Sequence, residues 1–302
     1  MKKEIIHIKS IREYNQLLGI NGLKNPLMSI LAYQNLPPIP IGDTVKLTFG
    51  FYIISIKIDY DCKIRYGQTG YDFDEGVMGF IAPNQLHTID SDFKAPQNGW
   101  SLMIHPDFFS GFPIATKIRQ YGFFEYHTNE ALILSEDEEK SIIDLFQSIQ
   151  SEYNRPIDSF SQDVLIAQIE YLLALCNRFY TRQFITRKKP NSDLLSKFDS
   201  LIFQYFNNKL IDKEPPTVKS FAQKINVSPN YLSDMLRSIS GKNAQQHIHD
   251  KLIEKAKELL SSTNLSVSEI SYQLGFEYSQ SFSKLFKSKT NISPLAFRQS
   301  YN

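Results

Sequence analysis

Leu232-Ser233-Asp234-Met235-Leu236-Arg237-Ser238 returns fifty residues later as Phe282-Ser283-Lys284-Leu285-Phe286-Lys287-Ser288. Apolar, small and basic positions coincide in the two heptapeptides. Upstream, at an offset of 49, Val218, Phe221, Ala222, Ile225 and Val227 meet Val267, Ile270, Ser271, Leu274 and Phe276. The end of the chain therefore holds a degenerate internal repeat, with a one-residue slip after the turn. Each copy reads as helix, tight turn, helix. Thr217 is placed to cap a helix running to Ile225, and Asn226, which tolerates the left-handed conformation, marks the reversal. Ser228 caps the next helix, with Pro229 at its first position, where a missing N–H costs nothing. In the second copy Ser266-Val267-Ser268-Glu269 has the capping-box form, Gly275 supplies the turn, and a new helix starts near Tyr278.

Leu232, Met235 and Leu236 in one copy, and Phe282, Leu285 and Phe286 in the other, hold each second helix against the first. What remains outward is small, polar or basic. That is Asn230, Tyr231, Ser233, Asp234 and Arg237, then Ser279, Gln280, Ser281, Ser283, Lys284 and Lys287. A helix docked by one face with polar side chains on the other suits a major groove ~12 Å wide. Ala244 to Leu260 lacks Pro and Gly and carries Ile248, Leu252, Ile253, Ala256 and Leu259 at helical spacing. Such a helix, ~25 Å long, can hold two reading heads about one turn of DNA apart, ~34 Å. The plain alternative is an all-helical domain with a short repeat.

Charge points the same way. The net charge is only +1, yet residues 182–302 hold 18 Lys+Arg against 10 Asp+Glu, and the rest of the chain is acidic. A basic C-terminal third fits a polyanion partner. The 302 residues, 42% hydrophobic and 22% charged, fit a soluble globular protein of two domains. Cys62 and Cys176 match no metal or disulfide framework, which fits a reducing cytoplasm. The longest apolar run, Phe49 to Ile56, is too short for a membrane helix, and the N-terminus shows no signal-peptide core.

Residues 27–134 read as strands. Val45, Leu47, Phe49 and Phe51 alternate with Thr44, Lys46, Thr48 and Gly50, and Ile54, Ile56 and Ile58 continue the period. Turns are expected at Asp74–Gly76 and Pro83–Asn84, flanking a strand over 77–82, and the whole suggests a small antiparallel barrel or sandwich. Ser135-Glu136-Asp137-Glu138 is a capping box that opens a helix carrying Ile142, Ile143, Phe146 and Ile149. A second helix, about Ser161 to Tyr180, bears a stripe of Leu165, Ile169, Leu172, Cys176 and Phe179, widened by Ile166 and Leu173. A stripe that wide can serve two neighbours, its own domain and a second subunit, or can be wholly intrachain core. Arg182 to Ser192, polar and basic with Pro190, reads as a linker.

The stretch from about Val218 to Arg298 resembles the DNA-binding domain of the AraC/XylS family of bacterial transcription regulators. The residues that carry this are Ala256-Lys257-Glu258-Leu259-Leu260, Leu265-Ser266-Val267-Ser268-Glu269-Ile270, Leu274-Gly275-Phe276, Phe282-Ser283-Lys284-Leu285-Phe286-Lys287 and Ser293-Pro294-Leu295-Ala296-Phe297-Arg298. The resemblance implies two helix-turn-helix units bridged by a long helix, entering successive major grooves, with the outward residues above at base-reading and phosphate positions. One departure is Ser233 and Asp234, where longer polar or basic side chains are common in the family. The second unit, with Gln280 and Lys284, is the better reader: Gln suits adenine, and Lys suits guanine or phosphate. Family members often carry an N-terminal cupin-like barrel that binds a small effector, followed by dimerising helices, and Tyr71–Gln85 resembles a hairpin of such barrels.

The expected architecture is thus α+β: a cupin-like antiparallel β-barrel (1–134), a helical dimerisation segment (135–181), a linker (182–192) and an all-α double helix-turn-helix domain (193–302). The expected function is sequence-specific transcription regulation on double-stranded DNA, in a homodimer, under a small-molecule effector of unknown identity, with RNA polymerase as a further partner and no membrane. No catalysis, metal or cofactor is expected. His7, His87, His105 and His127 stand alone, His247-Ile248-His249 lies in a helix where i and i+2 diverge, and no phosphate loop or nucleophile–base pair appears. Tyr52, Tyr66, Phe80 and Trp100 suit a ligand pocket or, more plainly, a core. The rivals are a constitutive DNA-binding protein whose barrel only assembles it and a cupin enzyme tethered to DNA.

Overall fold

The computed structural model describes residues 5–20, 22–37, 44–58, 64–66, 69–71, 76–89, 95–207 and 216–300. The chain divides into two compact units, Met1–Gln183 and Phe184–Asn302.

The first unit opens with β1 (Ile5–Ile8) and the short helix α1 (Ile11–Leu17), which Ser10 caps by accepting from the Glu13 N–H. Strands β2 (Met28–Ala32), β3 (Val45–Phe49), β4 (Tyr52–Ile58), β5 (Ile64–Tyr66), β6 (Thr69–Tyr71), β7 (Val77–Ile81), β8 (Leu86–Ile89) and β9 (Asn98–Ile104) follow. Helix α2 (Ile114–Lys117) and strand β10 (Leu132–Ile133) complete the series. The strands form an antiparallel sheet ordered β10-β7-β4-β9-β2, a second sheet ordered β1-β3-β8 and the hairpin β5-β6.

The expected closed antiparallel barrel is corrected on two counts. Among the described residues no sheet closes on itself, and β1 runs parallel to β3. The cause is non-local. β1 reaches β3 only after α1 and β2 have intervened, so no hairpin sets its direction. Residues 106–130, expected among the strands, form short helical turns instead, from Pro106–Phe109 to Thr128–Glu130. Pro106 and Pro113 lack the N–H a ladder needs, and the doublets Phe108-Phe109 and Phe123-Phe124 are buried without strand alternation. The turn at Asn84 is present, with φ 63°; of the turn expected at 74–76 only Gly76 is among the described residues.

β4 is buried on both faces. Ile54 and Ile56 share one face with Met78, Phe80, Trp100 and Leu102. That face meets helices: the Trp100 ring lies beside Phe146, Phe80 beside Tyr180, and Met78 Sδ is 3.7 Å from Cys176. On the other face Ile53 and Met103 join a cluster with Ile8, Ile11, Phe49 and Phe51.

Helix α3 (Glu136–Asn154) begins at the Ser135–Glu138 capping box. Helix α4 (Ser161–Thr186) outruns its expected end. Every residue of its named stripe is buried within the chain, so the intrachain alternative accounts for the stripe in full; Val164 and Tyr171 are exposed. The segment expected as a linker is helical: residues 182–186 finish α4, and α5 (Lys188–Asn207) starts after Arg187. Lys and Arg are good helix formers, so a basic segment continues a helix as readily as it breaks one.

The second unit is helical: α5, then α6 (Val218–Lys224), α7 (Pro229–Ser240), α8 (Ala244–Ser262), α9 (Val267–Gln273), α10 (Ser279–Thr290) and α11 (Pro294–Gln299). α6 and α9 have 7 residues each, α7 and α10 have 12 each. Leu252, Ile253, Ala256, Leu259 and Leu260 of α8 form one core with Ile270, Leu274, Phe282 and Phe286.

Candidate nucleic-acid interface

Both copies of the repeat are built by local chemistry. Thr217 and Ser220 cap α6 reciprocally, and Ser266 and Glu269 do the same for α9. The chain then reverses at Asn226 (φ 59°) and Gly275 (φ 86°). Ser228 accepts from the Tyr231 N–H to start α7, whereas Tyr278 starts α10 without a side-chain cap. The slip lies between the left-handed residue and the N-cap, as the unequal turns require.

The repeat also runs further than the sequence showed. α7 ends at Gly241 and α10 at Asn291, both left-handed. Ser240 Oγ donates to the Leu236 carbonyl and accepts from the Lys242 N–H; fifty residues on, Thr290 Oγ1 donates to the Phe286 carbonyl and accepts from the Ile292 N–H. Asn243 and Ser293 then cap α8 and α11. Each copy is helix, turn, helix, turn, helix start.

Side chains on α7 and α10 do not all face outward as the sequence suggested. Tyr231 is corrected: it is 1% exposed, and its ring meets Phe184 edge-on. It shares a face with Met235 four residues on, so it is core. Asn230, Ser233 and Asp234 are half-buried, and Arg237 is exposed. Arg237 Nη1 donates to Asp234 Oδ1 at 2.9 Å. The acid that looked out of place on a reading helix thus holds the guanidinium one turn away.

On α10, Gln280, Ser281, Lys284 and Lys287 are exposed, and Ser279 and Ser283 are half-buried. Gln280, Lys284 and Lys287 follow an i, i+4, i+7 spacing that sets them along one helix face. The inward side is Phe282 and Phe286, both fully buried, with Phe276 and Phe297 respectively meeting them edge-on. This half therefore presents an amide that can pair with adenine and two ammonium groups that suit guanine or phosphate.

The histidines have local roles. His247 Nε2 lies 2.7 Å from Ser240 Oγ and His249 Nε2 lies 2.7 Å from Gln245, so the pair turns to different neighbours. His7 Nδ1 meets Thr48 Oγ1, and His105 Nδ1 accepts from the Asp107 N–H. His127 helps cap the turn at Thr128–Glu130. Burial holds the His87 imidazole below its ordinary pKa, and its Nε2 has no hydrogen-bond partner among the described residues.

Elsewhere in the first unit, Tyr52, Phe80 and Trp100 are core residues. The sheet face that carries Ile53 also carries Ser29, Ser55 and Ser101, all buried. Asn15, 3% exposed, donates to Ser29 Oγ, while its Oδ1 lacks a partner among the described residues.

A family described as a helix-turn-helix domain matches residues 221–300. The Msm operon regulatory protein of Streptococcus mutans is 23% identical over 250 residues, 82% of this chain and 84% of that protein. The arabinose operon regulatory protein of Salmonella typhimurium is 34% identical over 95 residues, 32% of this chain and 34% of its own length. Among solved structures, the C-terminal domain of the two-component response regulator yesN from Fusobacterium nucleatum is 33% identical, with 33% of this chain and 96% of that one covered and a TM-score of 0.30.

Proposed function

From a chain that carries a DNA-binding domain of the AraC type, we propose that the protein is a sequence-specific transcription regulator whose α7 and α10 enter successive major grooves of one duplex. The observation that carries this reading is the pair of equally long helices, each ended by a left-handed residue. Each is anchored by an apolar face, and each has a polar or basic face left over. In this reading Gln280, Lys284 and Lys287 contact bases and phosphates from the second helix, flanked by Ser279, Ser281 and Ser283. Arg237, braced by Asp234 and flanked by Asn230 and Ser233, does so from the first. The test is enrichment of bound fragments from a random duplex library, followed by footprinting. Two protected segments about one helical turn apart support the reading; no enriched sequence overturns it.

A small-molecule effector acting on the first unit is the second part of the proposal. Its support is the set of buried polar side chains on one sheet face, Ser55 paired with Ser101 and Ser29 bonded by Asn15, an unusual lining for a sheet face that only had to pack. A ligand that favours one DNA-binding state over another is what switching requires. A metabolite thermal-shift screen on the full chain checks it. Homodimerisation through 135–181, with Val164 and Tyr171 exposed on α4, belongs to the same proposal and is read by sedimentation. So do a cytoplasmic location and contact with RNA polymerase.

A further inference from the structure

Asp250 on α8 gives each carboxylate oxygen to a different partner. Lys242 Nζ donates to Oδ2 at 2.7 Å, and Lys289 Nζ donates to Oδ1 at 3.0 Å. Lys242 follows Gly241, the residue that ends α7, and Lys289 lies in the last turn of α10. One acid therefore ties the C-terminal ends of both candidate recognition helices to the helix between them. The repeat does not dictate this. The position fifty residues after Lys242 is Ile292, and the one fifty before Lys289 is Ile239.

Place and environment strengthen the tie. Before Asp250, α8 meets α5 and the first copy: His247 packs edge-on to Phe198 of α5 and bonds Ser240 of α7. After Asp250, Leu252 to Leu260 pack with the second copy. Asp250 sits at the changeover. The side chains of Asp250 and Lys289 are 32% exposed, so solvent screens their pair less than a fully exposed one. Burial works to raise the Asp250 carboxyl, but the hydrogen bonds and charges of Lys242 and Lys289 outweigh it and hold the group below its ordinary value.

We propose that Asp250 is a positioning residue that fixes α7 and α10 in spacing and phase, and so sets which separation of the two DNA boxes the protein accepts. The assignment rests on the DNA-reading function above. A one-base-pair insertion between boxes shifts the second by ~3.4 Å and turns it by about 35°. A rigid pair of readers pays for that mismatch in affinity; a looser pair follows it.

The experiment uses the full chain and the duplex that wild type enriches from a random library. Affinity is measured at the selected spacing and with one base pair inserted, for wild type, Asp250→Asn, Asp250→Glu and Lys289→Gln. Wild type and Asp250→Glu are expected to weaken about fivefold or more on insertion, and Asp250→Asn and Lys289→Gln only about twofold, the scale of one ion-pair network. On unrelated duplex Asp250→Asn binds more tightly than wild type and Lys289→Gln less tightly, because they change the local charge in opposite directions. Loosening common to both variants despite that opposition supports positioning rather than charge. If Asp250→Asn keeps the full insertion penalty, or weakens equally at both spacings, the assignment is overturned while the DNA-reading function stands. If wild type enriches no sequence, that function fails, and the assignment with it.

Discussion

Position 234 carries an acid where position 284, its equivalent in the second copy, carries a lysine, and the two are expected to fail differently. Among the described residues Lys284 makes no ion pair within the protein, so its charge is available to a ligand. Lys284→Ala is expected to weaken binding to the selected duplex by about 1–3 kcal/mol, or to lower the salt slope by about one if the contact is to phosphate; a fluorescence-anisotropy titration at several salt concentrations reads either. Asp234→Ala frees Arg237 rather than removing a contact. It should change folding stability by less than about 1 kcal/mol while relaxing base preference in the first box. An unaltered preference would detach the pair from recognition. Tyr231 shows what a residue list misses: a hydroxyl beside Asn230 looked polar, but Tyr231–Met235 and Leu232–Leu236 are both i, i+4 pairs, and that apolar stripe was already written in the sequence.

Helix ends were the most legible elements because their causes lie within four residues. Ser135, Ser228 and Ser266 stand next to the N–H groups they cap, and Asn226 and Gly275 occupy the left-handed positions their turns demand. Gly275→Ala forces a side chain into that conformation and should cost about 1–2 kcal/mol. Thermal melting should register it as a lower Tm, and an unchanged Tm would mean that the turn relaxes. Phe282→Ala removes a fully buried ring and should cost about 3–5 kcal/mol. The parallel pairing of β1 with β3 and the helical turns at 106–130 were not legible. The first depends on a partner some forty residues away, and the second on where aromatic doublets find room. That each copy of the repeat extends into a third helix was not legible, because the matching signals, Ser240 with Thr290 and Gly241 with Asn291, agree in conformation more than in residue type.

At the scale of the whole chain, segregated charge predicts behaviour that no single contact does. With 18 basic residues against 10 acidic ones in 182–302, DNA affinity should fall linearly in log–log form with salt, by about 0.9 per phosphate neutralised. Asp250 is held low by its lysines against the effect of burial, and Glu269 by the Ser266 hydroxyl and amide. A depressed carboxyl stabilises the fold above its unfolded pKa and loses that contribution as pH falls through its folded value. Unfolding midpoints should therefore decline below about pH 4, less steeply in Asp250→Asn. Equal slopes in the two proteins would remove Asp250 from the acid response.

Helix α8 closes one copy of the repeat and opens the next, and a shared element of that kind behaves like a threaded rod between two nuts. One residue added to an α-helix advances its far end by ~1.5 Å and turns it by about 100°. An alanine inserted in the rod would aim the second copy away from any duplex the first one grips. In the proposed two-groove reading, drift in α8 length is thus barred, and new operator layouts have to arise from the side chains around it.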